Sequence, residues 1–572
     1  MRLPFAVGTS LLLVALAARF ASLFTEAVNW DEFAALARAD RMVRLGAVDV
    51  GGRPGLMNFL LAPFVRGCTD TVAAAVDARI LWYFITLLYL AGVYVLVARW
   101  HSSARRPTKG RLEALFAVLL LACLPAFVTW SVQVRSDQAA LAAAVWGGVL
   151  LLGRGARSAV AAGVLFGIAF LCTQKGLYPI AGCFVLLCTA TLGRITAGDT
   201  APRAAILAAA RSGVLAIATA AAVGAVYFAL VPEAARVVTP RVVGTLWNEM
   251  NSVRGQMGYG AYLSQAPRVL VHWLLFAALL AWTARCVAVR DRDALAPLAT
   301  SWLMLALAVC VALVHGSTLA YFLMTLGLFP AIGLGLMVSH VAAATPTLQR
   351  YTVTLLALAL FGGAVPDTLQ MLHGTQANQR RTMQFIRTSG LADYRGYQVE
   401  GALFCAGDPD PMPALFSRQI ASRLRNSPQA IASFIGQFRA RPIAYMVESY
   451  RMSQFPEEVR GFWAEHYLRH SGSLFVSGFQ VRPYTGPATG EVLVAGRYRW
   501  RPIPRGSGPA LRVGSMVVEA GATAVLPAGI HVIQTIPAGA TGTLALDVPD
   551  WPEPDFVPFY DQRQVRRLGG VQ

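Results

Sequence analysis

The 572-residue sequence predicts a polytopic α-helical membrane protein of about eleven spans, closed by an extracytoplasmic C-terminal domain of mixed α/β and then β-rich character. Three observations predict it. The chain is 56% hydrophobic and 14% charged with a mean hydropathy of +0.52, outside the usual composition of soluble domains. Several apolar runs reach about 20 residues, the length that crosses a bilayer. After residue 366 those runs stop and shorter, mixed patterns replace them.

The apolar segments in order are 4–24, 80–98, 112–132, 138–152, 158–172, 177–193, 213–232, 269–285, 295–314, 318–340 and 351–366. The small residues of "AARFAS" offer a signal-peptide cleavage site behind the first. With so many spans following, an uncleaved anchor is the expectation. Loop charge sets the orientation. With a cytoplasmic N-terminus, the inner loops 99–111, 153–157, 194–211, 285–293 and 341–350 carry 14 Arg or Lys against 3 Asp or Glu. The first outer loop, 25–79, carries six Arg and seven acids. This positive-inside pattern describes a multi-pass protein of the cell's inner (plasma) membrane, with the C-terminal domain periplasmic or extracellular.

The net charge of +19 is almost all arginine, since only Lys109 and Lys175 are lysines. Basic loops beside spans report orientation, and no nucleic-acid-binding pattern is visible. Of the eight cysteines, Cys123, Cys172, Cys183, Cys188 and Cys310 lie in apolar spans, where a thiol is usually a small buried hydrophobe. There is no CxxC pair, and no disulfide framework is expected.

The outer loop 25–79 is not plain linker. In "DEFAALARADRMVRLG", Phe33, Leu36, Ala37, Met42 and Val43 fall on one helical face, and "RPGLMNFLLAPFVRG" is apolar but short for a span. Both read as helices, at about 31–66, lying on the outer membrane surface. They complete a membrane module over 1–366. The remainder, 367–572, is mixed α/β to about 485, with helical "PEEVRGFWAEHYLRH" and strand-like "RPIAYMVESY". It then turns strand-rich in "GEVLVAGRYRW", "GSMVVEAG", "GIHVIQTIP" and "GTLALDV", the pattern of a small β-sandwich.

Candidate chemistry gathers on the outer face. Asp31 and Glu32 follow the first span, where a carboxylate can serve as general base to a hydroxyl within reach. Asp31 could equally cap the helix that follows. Asp137, in "WSVQVRSDQAA", stands at the next outer turn, where it could converge on the same site, cap the following span, or pair with Arg135. Arg53, Arg79, Arg135 and Lys175 fall near outer ends of spans, placed either to hold an anionic head group or to anchor the interface. His315 and Tyr321, in "HGSTLAYFLMTLGLFP", could bond a phosphate or sugar, or belong to an aromatic belt. The outer loop 233–268 is either a flap or a connector. The carboxylates form no dense cluster, although two outer acids could share a divalent metal ion.

Taken in order, these stretches resemble the GT-C membrane glycosyltransferases that use polyprenyl-phosphate sugars, in the family 39-like group that holds protein O-mannosyltransferases and the lipid A aminoarabinose transferase. "NWDEFAALARADRMVRLG" matches that group's outer Asp-Glu and amphipathic helix, and "GGRPGL" stands at its basic-proline element. "DARILWYFITLLYLAGVYVLVAR" matches a second span opened by Arg, "VRSDQAALAA" a second acid after the third span, and "HGSTLAYFLMTLGLFP" a late His/Tyr span. Arg53 replaces the usual Lys of the basic-proline element and Gly55 its second Pro.

The resemblance covers roughly 1–366 and implies a glycosyltransferase. Its partners are a polyprenyl-phosphate sugar donor and an acceptor hydroxyl on a glycan, lipid or protein. Asp31 is then the base, Glu32 and Asp137 assist it, and nearby cations hold the phosphate, with inversion at the anomeric carbon. Some relatives use a divalent ion. A transporter or flippase of a lipid-linked glycan would instead need ionisable residues deep in spans and inverted repeats, and the predicted spans are nearly free of mid-span charge. A non-catalytic polysaccharide-assembly protein would not need the outer acids and cations.

Overall fold

The computed structural model describes residues 2–46, 48, 54–104, 110–153, 155–198, 200–235, 270–291, 294–315, 322–338, 346–374, 376–398, 424–425, 427–448, 452–484, 486–504 and 508–550. Each predicted apolar segment is helical there. The membrane module opens with α1 (Arg2–Ser22), α2 (Trp30–Leu45), α3 (Leu56–Val65) and α4 (Thr71–Ser103). It continues with α5 (Gly110–Ala122), α6 (Pro125–Trp130), α7 (Ser136–Leu151), α8 (Ala156–Cys172), α9 (Leu177–Thr196) and α10 (Pro202–Leu230). Helices Leu270–Val289, Leu295–His315, Leu323–Gly335 and Pro346–Leu372 follow. Among the described residues, seven helices are long and apolar enough to cross a membrane, and α7, α8 and Leu323–Gly335 are shorter apolar helices.

Two boundaries differ from expectation in ways that build the site. The second span begins at Thr71, not near 80, because the Asp70 carboxylate caps it through Val72 N (2.8 Å) and Ala73 N (3.1 Å). Arg79 therefore lies inside α4. The third span is broken. Pro125 lacks the N–H that would continue α5 and instead starts α6. The buried Arg19 of α1 donates to the Ala122 carbonyl that the break leaves at the end of α5, so a cation meets the negative end of the helix. Farther along, α8 packs between α7 and α10. A Cβ on Gly163 would strike the Ala216 carbonyl, so glycine is what lets those two backbones touch.

The loop 25–79 forms the two predicted helices, but their apolar faces lie on protein. Phe33, Leu36 and Ala39 of α2 and Leu61 of α3 are fully buried. They share a core with Met383 and Ile386 of the helix Gln376–Thr388 and with the sheet residues Tyr445, Trp500 and Leu544. Of the face the periodicity marks, Phe33, Leu36 and Ala37 are buried, while Met42 and Val43 are half-buried. The periodicity could not say against what, because lipid and a folded domain satisfy the same apolar stripe. On the opposite side of α3, Phe59 and Leu60 are exposed. Cys68, just before α4, is disulfide-bonded, which corrects the expectation of no disulfide; the other described cysteines are free.

The C-terminal region has the strand-rich end its sequence predicts. A seven-stranded sheet runs β1 (Gly396–Gln398), β2 (Tyr445–Val447), β4 (Leu474–Val481), β11 (Thr541–Leu546), β6 (Gly496–Ile503), β9 (Thr523–Leu526), with β3 (Tyr467–Ser471) also on β4. A four-stranded sheet runs β5 (Ala488–Val492), β10 (Gly529–Ile536), β7 (Ala510–Val513), β8 (Met516–Val518). Alternating residues of both sheets, among them Tyr498, Trp500, Val513, Ile533 and Leu546, enter one core. The pattern "PEEVRGFWAEHYLRH" is helical only to His466. From Tyr467 it is strand β3, because pairing with β4 and the Tyr467 hydroxyl bond to the Ile443 carbonyl (3.2 Å) outweigh the helical periodicity.

Candidate active site

The site begins with a helix start. Asn29, extended at φ −77° and ψ 152°, is the N-cap of α2, and its side chain accepts from Asp31 N (2.9 Å). Glu32 returns the bond by accepting from Asn29 N (2.8 Å), completing a capping box. The cap that Asp31 could have formed is thus supplied by Asn29. Asp31 is left in the first turn with its carboxylate directed outward from the helix, partly exposed, and Oδ2 accepts from Arg135 Nη2 at 2.7 Å. Among the described residues, its Oδ1 accepts no hydrogen bond.

Glu32 and Arg79 were expected at the reacting groups. The structure places them beneath the site, both fully buried. Arg79 donates Nε to Glu32 Oε1 (2.8 Å) and Nη2 to Oε2 (2.6 Å). Its remaining N–H groups go to the carbonyls of Ala27 (3.0 Å), Glu26 (2.7 Å) and Leu23 (3.5 Å). An arginine has five donors, and all five are used. Glu32 also accepts from Val134 N (2.8 Å), so its carboxylate holds four hydrogen bonds. This corrects both assignments. Arg79 has no donor left for a phosphate, and Glu32 has no lone pair left for a proton in flight. Together they knot α2, α4 and the loop before α7.

That loop carries the next groups. Arg135 is almost fully buried, lies 5.0 Å over the Trp130 ring, and has its carbonyl fixed by Trp82 Nε1 at 2.8 Å. It stands as N-cap of α7 without a side-chain cap bond, so Asp137 is not the cap either. Arg135 pairs with Asp31 rather than with Asp137. Asp137 faces Lys175, 3.5 Å away in the Gln174–Gly176 turn between α8 and α9, and Lys175 also lies 5.4 Å over the Phe322 ring. Each of the two acids is matched by a cation from a different element, and Asp137 is not among the residues that line the cleft at Asp31.

A small cleft, partly open to solvent, lies at Asp31. Its walls are Asp31, Ala35 and Arg38 of α2, Gly55, Met57 and Asn58 around the start of α3, Val134–Ser136, and Cys172 at the end of α8. Arg38 and Asn58 are additions to the sequence reading. The first was legible, because 31, 35 and 38 fall on one face at helical spacing. The second was legible as the lone polar side chain in "LMNFLLAPFV". Arg53 and Tyr321 lie outside the described residues, as does most of the loop 233–268, and His315 ends its helix with its side chain outside them.

The divalent ion implied by some relatives does not fit these groups. Among the described residues no three His, Cys, Asp or Glu are placed to hold one, and Asp31 and Asp137 each face a cation that would repel it.

No protein-family model matches the chain, and no curated protein matches it in sequence. Solved structures do match. ArnT from Cupriavidus metallidurans bound to undecaprenyl phosphate gives a TM-score of 0.48 and 15% identity, covering 78% of this chain and 93% of that one. The Archaeoglobus fulgidus oligosaccharyltransferase tethered with an acceptor peptide gives 0.41 and 12%, over 92% and 76%. Arabinosyltransferase EmbB from Mycobacterium smegmatis gives 0.31 and 13%, over 96% and 63%. All are GT-C fold glycosyltransferases. These are likenesses of fold, and at this level they carry neither a substrate nor a residue role to this chain.

Proposed function

We propose that the chain is an integral-membrane glycosyltransferase that moves a sugar from a polyprenyl-phosphate donor to a hydroxyl of an extracytoplasmic glycan, lipid or protein, with inversion. The observation that carries this reading is Asp31. Its capping duty is taken by Asn29, one oxygen is oriented by Arg135, and the other is open on a cleft whose further charged wall is Arg38. A lipid-linked sugar has its phosphate at the membrane surface and its tail between helices. A base in the first turn of α2, a few residues beyond α1, suits chemistry at that interface.

In the proposed reaction Asp31 Oδ1 accepts the acceptor's proton as that oxygen bonds to the anomeric carbon from the face opposite the phosphate. The bond from carbon to phosphate oxygen breaks, and its electron pair leaves with the polyprenyl phosphate. Preorganised cations lower the energy of that developing charge without reorganising. Arg38, Arg135 and Lys175 are the candidates, with the uncapped first turn of α7 adding N–H groups. The resemblance leaves Arg53 for the phosphate and His315 and Tyr321 for the sugar or acceptor. The disulfide at Cys68 supports an oxidising, outer side for this end of the bundle.

The test is purified protein in detergent with synthetic polyprenyl-phosphate hexoses and pentoses, read as release of polyprenyl phosphate and as sugar transferred. Asp31→Asn should lower turnover by about 10²–10⁴-fold, the usual contribution of a general base, while undecaprenyl phosphate still binds. Near-normal turnover in that variant would remove Asp31 from the role of base.

A further inference from the structure

The segment that delivers Asp31 to the cleft, residues 23–28, is neither helix nor strand in its last part, and Ala27 and Val28 are buried. Buried irregular backbone must have its polar groups satisfied from outside the segment. Arg79 supplies one side, as described. The other side is supplied from about 350 residues later, by the first helix after the last span, Gln376–Thr388.

The Gln379 amide reads both backbone groups of one residue. Its Oε1 accepts from Val28 N at 2.7 Å and its Nε2 donates to Val28 O at 3.0 Å. Gln376 donates Nε2 to the carbonyls of Leu23 and Glu26, both at 3.1 Å, and its backbone N–H to Thr25 O at 3.1 Å. Thr25 closes the corner by donating its hydroxyl to Met371 O (2.8 Å). A Cβ on Gly374 would run into the Thr25 carbonyl, so the corner is fitted to this backbone. Both glutamines have no exposed surface. Farther along the same face of the helix, Met383 and Ile386 enter the core shared by α2 and the sheets.

We infer that Gln376 and Gln379 are positioning residues through which the C-terminal domain sets Asp31 in the cleft. This rests on the reading of Asp31 as base. The structural reason is geometric. Val28 precedes the cap Asn29, so a shift of Val28 turns the first turn of α2 and moves the Asp31 carboxylate relative to Arg135. A fixed amide pair at Val28 removes that freedom, and a displacement of about 1 Å at a reacting group costs on the order of 10²-fold in rate.

Gln379→Met keeps length and burial and removes both bonds; Gln376→Met removes the side-chain bonds at the neighbouring point and serves if the first variant is poorly folded. The measurements are polyprenyl phosphate release per undecaprenyl-phosphate-binding site, affinity for undecaprenyl phosphate, and hydrogen exchange of the amides of 27–33 and of β10 and β11. We expect turnover per binding site to fall about 10–100-fold, with affinity unchanged and exchange faster at 27–33 alone. Added to Asp31→Asn, Gln379→Met should cost nothing further, because it acts through the missing carboxylate. Unchanged turnover per binding site would overturn the inference. So would loss of turnover and of binding sites in equal proportion, or an equal cost in the Asp31→Asn background. Should Asp31→Asn itself keep normal turnover, the base reading fails, and that result is separate from any of the Gln379 outcomes.

Discussion

Replacing Arg79 by Met separates two roles that one buried cation could have. The guanidinium makes two bonds to Glu32, at 2.6 and 2.8 Å, and donates to three backbone carbonyls, with no exposed surface on either charged partner. Methionine fills much of the same volume but leaves Glu32 as a buried charge with only the Asn29 and Val134 amides facing it. Breaking a buried pair in this way typically costs about 3–5 kcal/mol, most of it the price of the orphaned charge. The companion variant tests that origin. Glu32→Gln with Arg79→Met removes both charges, so the double variant should be less destabilised than Arg79→Met alone. The assay is thermal unfolding in detergent followed by aggregation or near-ultraviolet dichroism, paired with undecaprenyl phosphate binding measured well below the transition. The expected result is a large loss of stability with affinity per folded molecule unchanged. A variant as stable as the parent that binds undecaprenyl phosphate much more weakly would return Arg79 to the phosphate and refute the knot.

Two further outcomes follow from other parts of the molecule. In the C-terminal domain, Glu491 on β5 is bonded by Arg439 of the helix Pro428–Ala440 and by His466 of Glu457–His466. The Arg439 bond foremost, then His466, holds its carboxyl below the ordinary value of 4.5 against the opposing effect of burial. A depressed folded value means that this stabilisation is present above the unfolded value and lost as pH falls through the folded one. Acidification below about pH 4.5 should therefore lower the domain's melting temperature in the parent, and Glu491→Gln should flatten that part of the curve; equal acid sensitivity of both would show that other groups govern it. For topology, a membrane-impermeant maleimide on intact cells should modify Thr523→Cys and spare Ser102→Cys, and the reverse pattern would place the cleft on the cytoplasmic side.

Much of this chain was legible before folding was considered. Composition and apolar run length gave the membrane helices, since a bilayer imposes a length and an absence of charge that few other environments demand. Strand-period patterns between turn residues gave β6, β10 and β11. The order of short motifs singled out Asp31, Arg135, Asp137 and Lys175, which the fold brings to one end of the bundle. Misplaced boundaries came from local determinants that periodicity overlooks: the Asp70 cap that lengthens α4, and the Pro125 stop that breaks the third span.

Division of labour among the polar residues was not legible, and only the tertiary structure decided it. Asp31 and Glu32 are adjacent acids with nothing local to rank them. A helix turns them about 100° apart, so one enters the interior and meets Arg79 while the other faces the cleft. Arg79 opens one apolar run and Arg135 follows another, yet the first spends every donor on buried carbonyls and a carboxylate, and the second orients Asp31. Gln376 and Gln379 carried no signal at all, because amide side chains in a polar helix are ordinary until a backbone from some 350 residues away needs them. The sequence by itself determined where along the chain the polar groups occur, close to the ends of the apolar runs. Which of them are consumed by one another, and which are left to act, depends on hydrogen-bond partners distant in the chain, and those exist only once the helices and the C-terminal domain have packed.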